Sequence, residues 1–160
     1  MAAGRVQVRE PVPPRSAWVR APARGFVVDA SVSAAWLLPD EATAYTLAAL
    51  RATATTNVWV PMLWQLEIAN LLQSAQRRRR IGAAKRAELA AAVDGIRVQV
   101  CRDPVPLPAL DALAAQQGLS AYDACYLELA LRRGLPLATL DAELLAAMQR
   151  CGVPLADFAT

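Results

Sequence analysis

"LSAYDACYLELALRRGLPLATLD", residues 119–141, holds a helix start, a helix stop and a buried strand in one continuous stretch. Tyr122, Cys125, Tyr126 and Leu129 recur at i, i+3, i+4 and i+7, the spacing of one helical face. Gly134 stands where a helix C-terminus favours glycine. The following "LPLATLD" is a short apolar run of the kind that forms a strand buried on both faces. An aspartate marks each part: Asp123 in the first turn of the helix, Asp141 at the end of the strand.

The same alternation runs outward from this stretch. "GFVVDA" predicts a first strand ending at Asp29, and "SVSAAWLL" a short helix stopped by Pro39. "DEATAYTLAALRATA" predicts a second helix with acids in its first turn, and "NVWVP" a second strand. "MLWQLEIANLLQSAQRRRR" predicts a long helix whose closing arginines suit the negative end of its dipole. "GAAKRAELAAAVDGI" is a further helix, "RVQVC" a third strand, and "LPALDALAAQQG" a helix closed by Gly118. After the fourth strand, "AELLAAMQRCG" is a last helix closed by Gly152, and "VPLAD" is a candidate fifth strand. Short apolar strands alternating with amphipathic helices imply an α/β fold with a four- to five-stranded, mainly parallel sheet and helices on both faces. Trp36, Trp59 and Trp64 lie inside apolar segments and read as core or dimer contacts.

At 160 residues, 56% of them hydrophobic, the chain has the size and composition of one folded domain. No apolar run reaches the roughly 18 residues of a membrane span. Residues 1–24, rich in Arg and Pro and without an apolar core, read as a basic, poorly ordered arm and not a secretory signal, leaving 25–160 as the domain. Cys101, Cys125 and Cys151 are odd in number and form no C-x-x-C pair, which favours reduced thiols in a cytoplasmic protein. The chain has no histidine, which removes Ser-His-Asp triads, Cys-His pairs and histidine metal ligands together. Net charge is +3, and Lys85 is the only lysine among the basic residues. An arginine-based positive balance is compatible with a nucleic-acid partner.

In a parallel sheet, ligands bind outside the carboxyl ends of the strands, where helix N-termini also point. Asp29, Asp123 and Asp141 all map to that edge, and Glu67 lies on the helix after the second strand with Asn70 three residues on, on the same face. Each aspartate is equally placed to cap a helix: Asp29 before Ser31, Asp123 in a box with Ser120, Asp141 before "AELLAAM". Caps explain the three aspartates singly and an exposed helix position explains Glu67, but neither accounts well for their convergence. Like charges a few ångströms apart repel by about 4 kcal/mol per pair at an effective dielectric near 20, so such a cluster raises its own pKa values or recruits cations. Oxygen donors without His or Cys suit Mg²⁺ or Mn²⁺, and such a site supports attack of metal-activated water on a phosphodiester.

"FVVDASVSAAWLLPDE", "LWQLEIANLL", "LSAYDACYLELALRRGLPLATLD" and "CGVPLADF" resemble the successive blocks of the PIN-domain family, specifically the small toxin ribonucleases of VapBC toxin–antitoxin pairs. The resemblance covers about residues 25–158. It implies a PIN-like fold and a metal-dependent endoribonuclease whose catalytic and metal-binding quartet falls on Asp29, Glu67, Asp123 and Asp141, supported by Ser31, Asn70 and Thr139. It further implies Mg²⁺ or Mn²⁺ as cofactor, RNA as substrate, a homodimer, and a VapB-type antitoxin as partner. Arg77, Arg78, Arg79 and Arg80 would then hold the RNA backbone or an acidic antitoxin segment, or stand as a solvated helix end. The alternatives are a PIN nuclease in RNA maturation or DNA repair, and a non-enzymatic receiver-like binding module. A receiver needs an acidic pair after its first strand and a lysine after a late one; here there is Asp29 alone, and Lys85 falls on a predicted helix.

Overall fold

A computed structural model describes residues 25–158. The expected arm over 1–24 lies outside the described residues. Four strands form one all-parallel sheet: β1 (Gly25–Val28), β2 (Asn57–Pro61), β3 (Val98–Cys101) and β4 (Leu137–Ala138), in the order β3-β2-β1-β4. Seven α-helices are described: α1 (Ala30–Leu37), α2 (Ala44–Ala52), α3 (Leu63–Arg77), α4 (Ala83–Asp94), α5 (Leu107–Gln117), α6 (Ala121–Arg133) and α7 (Ala142–Cys151).

The strands are unbroken apolar runs because the helices leave the sheet centre no contact with water; Val27, Val28, Val58, Val60, Leu137 and Ala138 are all fully buried. Gly25 is required by packing, since a Cβ there would lie 2.3 Å from the Asn57 carbonyl oxygen on β2. Gly25→Ala is therefore expected to cost about 1–3 kcal/mol of stability, read as a lower urea midpoint.

β1 pairs with β2 on one side and β4 on the other, so the chain order reverses beside β1. The crevice at the carboxyl ends of β1 and β4 is the switch point at which parallel α/β sheets bind ligands. α6 is positioned for this edge by two termini. Ser120 accepts from the Asp123 amide at its start, and Gly134 closes it with φ of 62°, a left-handed conformation that side chains disfavour.

Several expectations need correction. "VPLAD" contributes only a single parallel bridge, Leu137 to Leu155, because Pro154 has no amide hydrogen to extend the ladder; the sheet has four strands. The chain then turns so that Phe158 packs edge-on against Phe26, with ring centroids 4.9 Å apart. The acids of "DEATAY" do not open α2. Pro39–Glu41 forms a separate 3-10 turn, and α2 starts after Thr43, whose hydroxyl accepts from the Thr46 amide at 3.1 Å while Thr46 Oγ1 returns the bond at 2.9 Å. On α6, Tyr126 and Leu129 are buried as the periodicity predicts, but Tyr122 is 64% exposed and Ala124, Leu127 and Ala130 complete the packed face. α3 stops at Arg77, and Arg79 has a left-handed backbone (φ 59°).

Trp64 is buried as expected and its indole donates to Ser33 Oγ at 2.9 Å, pinning α3 to α1. Trp36 donates to the Thr46 carbonyl, and Trp59 lies beneath the Arg133 guanidinium, 3.5 Å from the ring centre. None of Cys101, Cys125 and Cys151 is joined in a disulfide.

Candidate active site

Asp29 follows β1 directly and occupies the N-cap position of α1, yet its side chain makes no cap hydrogen bond. Its Oδ2 instead accepts from Ser31 Oγ at 2.5 Å and from Thr139 Oγ1 at 2.8 Å. The carboxyl group is 4% exposed, and burial raises its pKa, opposed by these two hydroxyls and by the Ala30 and Ser31 amides. Ser33 Oγ donates to the Asp29 carbonyl at 3.2 Å, so the Trp64–Ser33 contact ties α3 to the backbone of Asp29 itself.

Thr139, buried after β4, joins the two central strand ends. Besides donating to Asp29, its Oγ1 accepts from the Asp141 amide at 3.0 Å, and Ser31 Oγ accepts from the Leu140 amide at 3.0 Å. Asp141 caps α7, its Oδ1 accepting from the Leu144 amide at 2.8 Å. Asp123 Oδ2 accepts from Ser120 Oγ at 2.6 Å. The cap reading thus holds for Asp141 and fails for Asp29, while at α6 Ser120 caps but Asp123 bonds the Ser120 hydroxyl and not its amide, so the box is half formed.

Glu67 is half-buried on α3 and accepts a very short hydrogen bond from the Tyr126 hydroxyl of α6. Burial raises its pKa; the Tyr126 bond opposes that, and the charges of Asp29 and Asp123 add to it. Glu67 therefore feels two of the other three acids, while Asp29 and Asp141 are linked through Thr139. Among the described residues, no three of the acid and thiol side chains stand close enough to hold an ion between them as oriented here. Asn70 is exposed, and the hydrogen bond that holds Glu67 comes from Tyr126. Tyr126 was legible only as an apolar position; the signal for its second role was the polar tip that a buried tyrosine must satisfy.

The donor chemistry fits a hard divalent cation. The four acids offer only oxygen, the chain has no histidine, and none of the ion pairs among the described residues involves Asp29, Glu67, Asp123 or Asp141. The arginines are differently placed. Arg80 is committed to Asp40 (2.7 Å) and Glu41 (2.8 Å), which leaves Arg77, Arg78 and Arg79 as the outward part of the run. Arg132 pairs with Glu128 and Asp103, and Arg133 reaches Asp103 at 3.4 Å. Lys85 lies on α4 paired with Glu88, not at a strand end where a receiver would require it.

Residues 26–149 match the PIN domain family model. The chain belongs to the PIN-domain family, whose members are generally metal-dependent nucleases. Among solved structures it is similar to the crystal structure of PAE2754 from Pyrobaculum aerophilum, with 30% sequence identity and a TM-score of 0.62, covering 78% of this chain and 80% of that one. No curated protein sequence matches the chain. Among the described residues, no helix is long and apolar enough to cross a membrane.

Proposed function

We propose that the protein is a metal-dependent endoribonuclease acting as the VapC-type toxin of a type II toxin–antitoxin pair. The observation that carries the nuclease reading is Asp29: a buried carboxylate at the sheet's switch point, spent on no helix cap, ion-paired with no arginine or lysine among the described residues, and held between two hydroxyls. A buried charge without a counter-charge is costly, and a bound cation removes that cost. Asp29, Glu67, Asp123 and Asp141 are the residues to hold Mg²⁺ or Mn²⁺, each committing one carboxylate oxygen to its own hydrogen bonds. When bound, the ion supplies an activated water and neutralises charge developing on the phosphodiester. The protein's own part is orientation. Ser31 and Thr139 fix the Asp29 carboxylate, Tyr126 holds Glu67, and the N-termini of α6 and α7 favour the negative charge of a phosphate nearby.

The toxin reading, with a homodimer and a VapB-type antitoxin as partners in a cytoplasm that keeps three thiols reduced, rests on the motif resemblance. Induced expression is expected to arrest growth and to leave discrete RNA fragments, with relief by co-expression of a cognate antitoxin. Arrest that persists in Asp123→Asn would contradict it. RNA fragments without arrest would favour a maturation role instead.

Because Arg80 is occupied, RNA contact by the arginine run falls to its first three members. Replacing Arg77, Arg78 and Arg79 together with Ala is expected to flatten the dependence of log Kd on log salt for single-stranded RNA, by up to about 0.7 per lost phosphate contact. Filter binding across a salt series reads it. An unchanged slope identifies the run as a solvated helix end.

A further inference from the structure

We infer that Tyr126 is a positioning residue of the acidic site: its hydroxyl, donated to Glu67, restrains the α3 carboxylate at the acidic edge, where it would take part in holding the cation. This rests on the nuclease reading above and adds to it a residue outside the acidic quartet and its hydroxyl partners.

Tyr126 is fully buried in the face of α6 that packs on β1 and β2, so its ring is held by the core. Its hydroxyl crosses to a different element and donates to Glu67, 59 residues earlier in the chain. A buried tyrosine hydroxyl usually finds a partner, and a backbone carbonyl would serve. Here the partner is a half-exposed carboxylate at the ligand-binding edge, whose long side chain would otherwise choose among several rotamers in water. The aromatic ring lacks that freedom, so the order of the core is transferred to the one acid of the quartet that stands neither at a strand end nor in the first turn of a helix. Hydrogen bonds behind a metal ligand hold its orientation, and their loss typically weakens metal affinity about 10–100-fold.

The test is Mn²⁺ binding by the full chain, followed through the electron paramagnetic resonance of the free ion, for wild type, Tyr126→Phe, Glu67→Gln and the double variant. Tyr126→Phe removes one oxygen and keeps the ring. Its Kd for Mn²⁺ is expected to rise about 10–100-fold while circular dichroism stays that of wild type. In the Glu67→Gln background the added Tyr126→Phe change is expected to have little further effect, because the hydroxyl acts through that carboxylate. A purely structural hydroxyl would move both backgrounds alike, and that result overturns the inference. Wild-type affinity in folded Tyr126→Phe overturns it too, while leaving the nuclease reading standing. A wild-type protein that binds no Mn²⁺ overturns both. Should Tyr126→Phe fail to fold, Tyr126→Met is read in the same two Glu67 backgrounds: weaker Mn²⁺ binding confined to the background that keeps Glu67 supports the inference, and an equal change in both, or none, overturns it.

Discussion

Asp29→Asn is expected to reduce RNA cleavage by roughly three orders of magnitude and, in the same protein, to raise the melting temperature at neutral pH. The loss follows from removing the buried charge that a cation would meet, worth several kcal/mol of transition-state stabilisation. The gain follows from the direction of the Asp29 pKa, raised by burial. A carboxyl whose folded pKa exceeds its unfolded one destabilises the fold above that folded pKa and has no such effect below the unfolded value. Asn keeps an oxygen to accept from Ser31 and Thr139 and carries no charge. The variant should therefore melt higher than wild type at neutral pH in the presence of EDTA, by about 2–4 °C for each kcal/mol recovered, with the difference shrinking as the pH falls into the acid range. Added Mn²⁺ should narrow the gap by stabilising wild type alone. A variant that melts lower at neutral pH would show that the carboxylate supports the fold instead of straining it, and the trade between activity and stability would not apply.

Thr139→Val should have the second largest effect. Valine preserves the branched shape in a position that is 2% exposed, but it removes at once the donor to Asp29 and the acceptor for the Asp141 amide. Two acids on opposite sides of the β1–β4 crevice lose their common partner. Cleavage is expected to fall about 10–100-fold, and stability by about 1–3 kcal/mol for the polar groups left unpaired. The pH profile supplies a separate check. The Thr139 bond lowers the Asp29 pKa against the rise from burial, so its loss should move the acid limb of the profile to higher pH. A rate loss with an unmoved acid limb would mean that Thr139 serves packing and not the carboxylate.

What the sequence made legible follows the range of the interactions involved. "NVWVP" became β2 with its ends unchanged because its apolar run is bounded on both sides by polar and turn residues, a local matter. The position of Asp29 at a strand end was equally local. Its freedom from capping was only partly so, since its carboxylate is held by Ser31, two residues on, and by Thr139, 110 residues away. "DEATAY" misled because two acids suit the first turn of a helix; the Thr43–Thr46 box sets the start instead, and Arg80, 40 residues after Asp40, takes up the displaced acids. β4 spans only Leu137–Ala138, and the next residue, Thr139, carries the hydroxyl that donates to Asp29. Tyr126 was assigned to the core by periodicity and belongs there, yet its polar tip reaches Glu67 on another helix, which a pattern confined to α6 has no means of registering.

The most direct measurement is incubation of the purified full-length protein, free of any partner, with total RNA and Mg²⁺ or Mn²⁺, beside lanes containing EDTA or Asp123→Asn. Asn at 123 retains an acceptor for Ser120, so the start of α6 survives and only the charge is lost. A metal-dependent endoribonuclease gives discrete fragments that disappear in both controls. Fragments that persist in EDTA, or RNA that stays intact in every lane with a folded protein and metal present, would contradict the acidic edge of this sheet as the seat of a metal-dependent ribonuclease.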